Sequence, residues 1–276
     1  MPPRPVYGVD FSGAKDAGRK LWVAGARRVE GALVLDSLLP GAALPGSGVD
    51  RASCLQAVAR LVGAERGAAF GFDFPFALPA AVVGAEPWEA FAAAFPDRYD
   101  SPEAFRAACR AATGGQESKR ETDRLARVPF NAFNLRVYRQ TYYGLREVIA
   151  PLVRTQRAAV LPMQPPAEDR AWVLEICPAS TLKRLGLYYT AAGRPWSYKG
   201  QTEAHEAARA RLWQALVDRY GLRAGPRARR AAIADAGGDA LDAVIAACAT
   251  AEAIESPLAL PDSCRAAAPV EGYIYF

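Results

Sequence analysis

Two aspartates, Asp239 and Asp242, stand three residues apart in GGDALDAVIAACATAEAIE (237–255), at the head of an apolar run with no polar face. Two chemistries suit that spacing. As a helix cap, the pair would satisfy free N–H groups and favour the positive end of the helix dipole. As ligands, two carboxylates in a poorly hydrated first turn repel each other unless a cation or a proton intervenes. The stretch alone leaves both readings open. Three further acids, Asp10, Asp73 and Glu175, each end an apolar strand candidate: VYGVD, AFGFD and WVLE. Sites in open α/β sheets form beyond the carboxyl ends of strands about 4.8 Å apart, so these acids would make a row if their strands are adjacent and parallel. Clustered carboxylate oxygens suit Mg²⁺ or Mn²⁺, which can activate a water and steady the leaving oxygen of a phosphodiester. The expected metal ligands are Asp10, Asp73 and Asp242, with Asp239 and Glu175 completing or orienting the site; the same five are the catalytic candidates.

Other chemistries are poorly supplied. The single histidine, His205, sits among charged neighbours in a helical stretch and reads as a surface residue, which argues against a His-based triad or zinc site. Cys54, Cys109, Cys177, Cys248 and Cys264 are scattered and never spaced C-x-x-C, so a reducing, cytoplasmic setting is expected. There is no G-x-x-x-x-G-K-[ST] phosphate loop, and the longest apolar stretch is broken by Asp73, Pro75 and Pro79, so no membrane span is expected. With 276 residues, 51% of them hydrophobic, a soluble globular protein of one large domain or two small ones is expected, and the net charge of +5 would help an anionic partner approach without establishing one.

The elements that must position the acids follow from periodicity. PVYGVD, KLWVAGARR and ALVLDSLL read as three strands joined by turns, residues 49–65 as a helix and AAFGFD as a fourth strand. Residues 75–170 read as a helical insertion rich in Arg, Tyr and Phe, with a long helix from about 132 to 152. AWVLEIC (171–177) resumes the sheet, PASTLKRLG starts a helix, 202–221 is amphipathic and closes at Gly221, and the acidic helix follows. GVDF and GFDF echo each other. In the insertion Arg120, Arg124, Asn134, Arg136, Arg139, Gln140 and Tyr142 mix charge, amide and aromatic groups in the way phosphate contact and base stacking need. Trp196, Tyr198 and Lys199 in PWSYKG form a second candidate patch for substrate.

The order βββαβ, a late strand and a terminal helix with D-x-x-D resemble the ribonuclease H superfamily, nearest its RuvC-type branch, which has Glu where this chain has Asp73. VYGVDFSGAK, GFDFPFALP, RETDRLARVPFNAFNLRVYRQTYYG, LEICPASTLKRLGL, SYKG, GDALDAVIAA and EGYIY resemble, along nearly the whole chain, the family known as domain of unknown function 429. The resemblance implies one ribonuclease H-like α/β domain over 1–276. Its mixed sheet has three antiparallel strands and then parallel ones, with the 75–170 insertion between the fourth and fifth. It further implies a Mg²⁺- or Mn²⁺-dependent nuclease acting on DNA or RNA, with the oligomeric state, a homodimer included, left open. Two rivals stand beside it: a nucleotide-dependent phosphotransferase of the actin-like or sugar-kinase type, and a catalytically inactive nucleic-acid-binding protein.

Overall fold

The first three apolar runs pair as a meander: β1 (Val6–Asp10) is antiparallel to β2 (Trp22–Val29), and β2 to β3 (Ala32–Pro40). Glu30 and Gly31, both at positive φ, make the two-residue turn that matches the twist of the flanking strands. The helix α1 (Arg51–Ala64) starts at Asp50, whose carboxylate accepts the Ser53 N–H at 2.9 Å, and returns the chain to β4 (Ala69–Phe72), parallel to β1. The computed structural model describes residues 4–190, 193–256, 258 and 260–276. Among them β5 (Ala158–Leu161), β6 (Ala171–Ile176), β7 (Arg223–Ala224) and β8 (Ile274–Tyr275) complete a sheet of order β5-β6-β4-β1-β2-β3-β7, with β8 also paired to β6. The fold is therefore mixed α/β, with antiparallel and parallel strands in one sheet.

The segment after β4 is helical as its composition predicts, with two differences. Ala158–Leu161 is a strand, parallel to β6; four apolar residues are too short a run to declare their period, and pairing decides them. The helix expected from about 132 starts at Tyr138, because the Asn131 and Asn134 side chains accept the N–H groups two residues on and form turns. From α2 (Tyr138–Gly144) the helix passes through a π turn at Leu145–Ile149 into Ala150–Arg154. Pro151, which cannot donate to the helix ladder, sits where the regular pattern resumes.

The insertion and α1 cover one face of the sheet, and α3 (Pro178–Arg184), α4 (Glu203–Tyr220) and α5 (Asp239–Glu255) cover the other. The echo of GVDF and GFDF is a pairing: Gly8 stands opposite Gly71, and both open a groove for α5. A Cβ on Gly8 would lie 2.1 Å from Ala243 O and Ala247 N, and one on Gly71 would lie 2.0 Å from Thr250 Oγ1. Glycine here serves close backbone approach, which brings the start of α5 against the end of β1. Gly8→Ala meets backbone that cannot yield, so a loss of about 3 kcal/mol, or roughly 10 °C in the melting temperature, is expected. A melt within about 1 °C of wild type would mean that helix and strand are not locked in this way.

Candidate active site

Parallel register places two of the five acids together. Val9 pairs with Phe72, the Asp73 N–H donates to Val9 O at 3.1 Å, and Asp10 and Asp73 leave adjacent strand ends. Glu175, in contrast, pairs with Phe72 rather than with the residue after it. Side chains alternate along a strand, so this one-residue difference sends Glu175 to the insertion face. There Arg120 grips it with Nη2 to Oε1 at 2.5 Å and Nη1 to Oε2 at 2.8 Å, and the Phe76 N–H donates to Oε2 at 3.0 Å. Arg120 also holds Asp123, through Nη2 to Oδ1 at 2.7 Å, and is 1% exposed. The expectation that Glu175 joins the acid row and that Arg120 meets substrate therefore gives way: the two form a buried anchor between insertion and sheet. The Arg120 Nη1 bond to Glu271 O at 3.1 Å extends the anchor to the segment before β8.

At the other face α5 contributes Asp239 and Asp242. Its N-cap is Gly238 at φ 78°, and the carboxylate that takes a free N–H is Asp235, through Oδ2 to Ala240 N at 2.9 Å. Asp235 stands outside the helix in a turn, where residue type and spacing give no sign that it caps α5. Capping is thus done elsewhere, and Asp239 and Asp242 are free for another role. Asp235→Ala should cost about 1 kcal/mol, whereas Asp239→Asn should not lower the metal-free melting temperature. Equal losses in the two variants, measured by urea unfolding, would restore the capping role to Asp239.

Tyr198 and Lys199 meet the aspartates from the PWSYKG loop. The Tyr198 hydroxyl donates to Asp242 Oδ1 at 2.8 Å; Lys199 Nζ is 2.6 Å from Asp242 Oδ2 and 3.9 Å from Asp239 Oδ1. Buried Arg209 fixes the loop, donating to Tyr198 O at 2.6 Å and Gly200 O at 3.0 Å. His205 bridges Thr202 and Ser197 beside it. Arg209 lies on the helix that sequence reading treated as an ordinary amphipathic one, and nothing in its spacing marks it.

The result is a desolvated acid cluster. Burial raises the Asp10 carboxyl well above its ordinary range, and Asp242 and Asp73 add repulsion that Lys199 partly offsets. Burial and then Asp242 push Asp73 to about 7, and burial, despite Lys199, pushes Asp239 to about 6. Burial opposes a charged Lys199, yet Asp242 and Asp10 hold its ammonium above the ordinary value. The ammonium of Lys199 stands inside the cluster against the carboxylates of Asp10, Asp73, Asp239 and Asp242, with Lys20 acting on Asp239 as well. Among the described residues no three His, Cys, Asp or Glu side chains are already closed around one point at metal-ligand spacing. The donor set is nevertheless all hard oxygen, crowded and short of positive charge, which fits Mg²⁺ or Mn²⁺.

A cleft of about 320 Å³ opens beside the cluster, lined by Asp73, Cys177, Tyr188, Trp196, Lys199 and Asp242 among others. A second cavity, of about 150 Å³, shares Asp73 and Cys177 and runs toward Phe130, Val137 and Gln140 of the insertion. Gln140 lines that cavity and its amide donates to the main-chain carbonyl of Asp73. The other insertion candidates are dispersed. Arg124 pairs with Glu121, Arg139 with Glu103 at 2.7 Å, and the Asn134 amide donates to Glu117 at 2.5 Å. Tyr142 is buried with its hydroxyl on Tyr99 O at 3.0 Å, and exposed Arg136 lies 5.3 Å from the Phe130 ring centre. Among the described residues no helix is long and apolar enough to cross a membrane.

A family profile described as protein of unknown function (DUF429) matches residues 8–265, and the chain belongs to that family. No curated protein and no solved structure matches the chain.

Proposed function

We propose that this family member is a divalent-metal-dependent nuclease with a ribonuclease H-like fold. The observation that carries the reading is the convergence of Asp10, Asp73 and Asp242, with Asp239, in a poorly hydrated cluster that Lys199 only partly neutralises. The meander, the α1 crossover to parallel β4, the further parallel β6 and the acid-bearing α5 are what a ribonuclease H-like reading requires. Asp10, Asp73 and Asp242 would hold Mg²⁺ or Mn²⁺, with Asp239 at the rim, and the ion would supply an activated water and stabilise charge on a phosphodiester. The chain's own groups prepare that site. Tyr198 and Lys199 fix both oxygens of Asp242, Gln140 fixes the backbone of Asp73, and the Gly8 contact holds β1 against α5.

The test is a cleavage panel: purified protein with single-stranded, duplex and branched DNA, with RNA and with ATP, each with Mg²⁺, Mn²⁺ or chelator. Strand cleavage with metal and none with chelator supports the proposal. ATP turnover without cleavage would replace it with a phosphotransferase.

The raised carboxyls set a pH dependence. Asp73 titrates near 7 in the folded chain against 3.8 ordinarily, so the folded state binds more protons between those values. Stability in chelator therefore falls as pH rises through that window, and the deficit is complete above about 7. Divalent metal competes with those protons, so the melting temperature gained on adding Mg²⁺ should be larger at pH 8 than at pH 5.5. A gain independent of pH would separate the metal from these carboxylates.

A further inference from the structure

Of the five lysines in this arginine-rich chain, Lys199 belongs to the acid cluster, and two others, Lys119 and Lys183, meet at the turn Arg127–Val128, of which Val128 lines the smaller cavity. Lys119 Nζ donates to Val128 O at 2.8 Å and Lys183 Nζ to Arg127 O at 2.7 Å, so both ammonium groups hold consecutive carbonyls of one turn. Arg127 is exposed between them, and among the described residues none of the three cations has a carboxylate partner. This contrasts with Arg124 and Arg139, which carboxylates already neutralise. Burial lowers the Lys183 ammonium, and Arg127 and Lys119 add to the lowering, as crowded like charges do.

Arg127 has a second peculiarity. It sits at φ 54°, in the left-handed region where a bulky side chain is uncommon and glycine is favoured. It ends the short helix Glu121–Leu125, a position that glycine or asparagine commonly fills. Backbone geometry thus does not call for an arginine, and glycine could take its place without strain.

Aromatic faces complete the groove. Lys183 Nζ lies 4.8 Å from the Tyr188 ring centre; Tyr188 and Trp196 line the cleft beside Asp73, and Phe130 lines the adjoining cavity next to Val128. Each of these rings is partly exposed. Cations flanking separated aromatic rings match the alternating phosphates and bases of an unpaired strand, whereas a duplex keeps its base faces stacked on one another.

We infer that the groove binds single-stranded nucleic acid, with Lys119, Arg127 and Lys183 on its phosphates and Tyr188, Trp196 and Phe130 under its bases. The inference rests on the nuclease reading for its biological sense, but binding is measurable without catalysis. The probe is a fluorescein-labelled oligothymidylate of about 15 nucleotides, read by anisotropy in EDTA over a salt series, beside a duplex of equal length. The wild type should bind the single strand at least about tenfold more tightly than the duplex. Arg127→Gly suits the backbone and should melt no lower than wild type, and Lys183→Gln keeps a donor for Arg127 O. Together they should weaken single-strand binding about tenfold. The slope of log affinity against log salt should shrink by about 1.4, or about 0.7 for each lost phosphate contact. No binding by wild type, equal affinity for duplex, or variants with unchanged affinity and slope would each overturn the inference. Binding as expected without cleavage in Mg²⁺ or Mn²⁺ would instead overturn the nuclease reading and leave this one standing.

Discussion

Asp10→Asn and Asp242→Asn are each expected to reduce metal-dependent cleavage by about 100-fold or more, and Asp10→Asn should leave the metal-free protein as stable as wild type or more so. The two halves of that result have one cause. An amide keeps the shape of the carboxylate but not the charge that a hard divalent cation needs, and loss of a ligand costs at least what loss of an outer-shell contact does. At Asp10 the same substitution removes a desolvated carboxyl that its acidic neighbours repel, so the folded state does not lose stability, whereas at Asp242 it also takes the partner from Lys199. A structural aspartate would behave oppositely, with stability lost and activity falling only with it. Full activity in both variants would sink the assignment of these residues. Tyr198 keeps a hydroxyl donor on Asp242 in either state, since burial and Asp242 raise its pKa well above the ordinary value.

The second large effect lies on the other face of the sheet. Arg120→Met should cost about 3–5 kcal/mol, because it leaves Glu175 and Asp123 as uncompensated carboxylates in the interior. Burial raises the Glu175 carboxyl pKa even with Arg120 beside it, so the acid depends on that partner to stay ionised. Urea unfolding checks the magnitude. A loss below about 1 kcal/mol would mean that the anchor between insertion, β6 and the segment before β8 is not what holds them together. An Arg120 that met substrate would instead lower binding without lowering stability.

Much of the scaffold could be read from residue order. The meander, α1 and the parallel strands follow from period and turn chemistry, and the echo of GVDF and GFDF corresponds to the paired Gly8 and Gly71 under α5. Asp10 and Asp73 were legible because each follows an apolar strand. Glu175 has the same local signature and a different fate, since a single step of register, invisible without the pairing, turns it to the opposite face. Arg120 looked like a phosphate ligand by charge alone; burial is a property of the fold. Asp235 and Arg209 act through main-chain groups that sequence does not display. Arg127 was hidden for the same reason, because its left-handed backbone carries no mark in residue type.

In the proposed site Asp10, Asp73, Asp239 and Asp242 hold a divalent cation, and Asp239 and Asp242 are more than the capped start of a buried helix. Thermal melts of wild type and Asp242→Asn, in EDTA and in rising Mn²⁺, test this most directly. At ten times its dissociation constant a folded-state ligand contributes about 1.4 kcal/mol. For a chain of this size that predicts a rise of roughly 3–5 °C in wild type. Asp242→Asn should show no rise from its own metal-free melting temperature. A wild type indifferent to Mn²⁺, or an Asp242→Asn protein that responds as wild type does, would rule out a cation site at these aspartates.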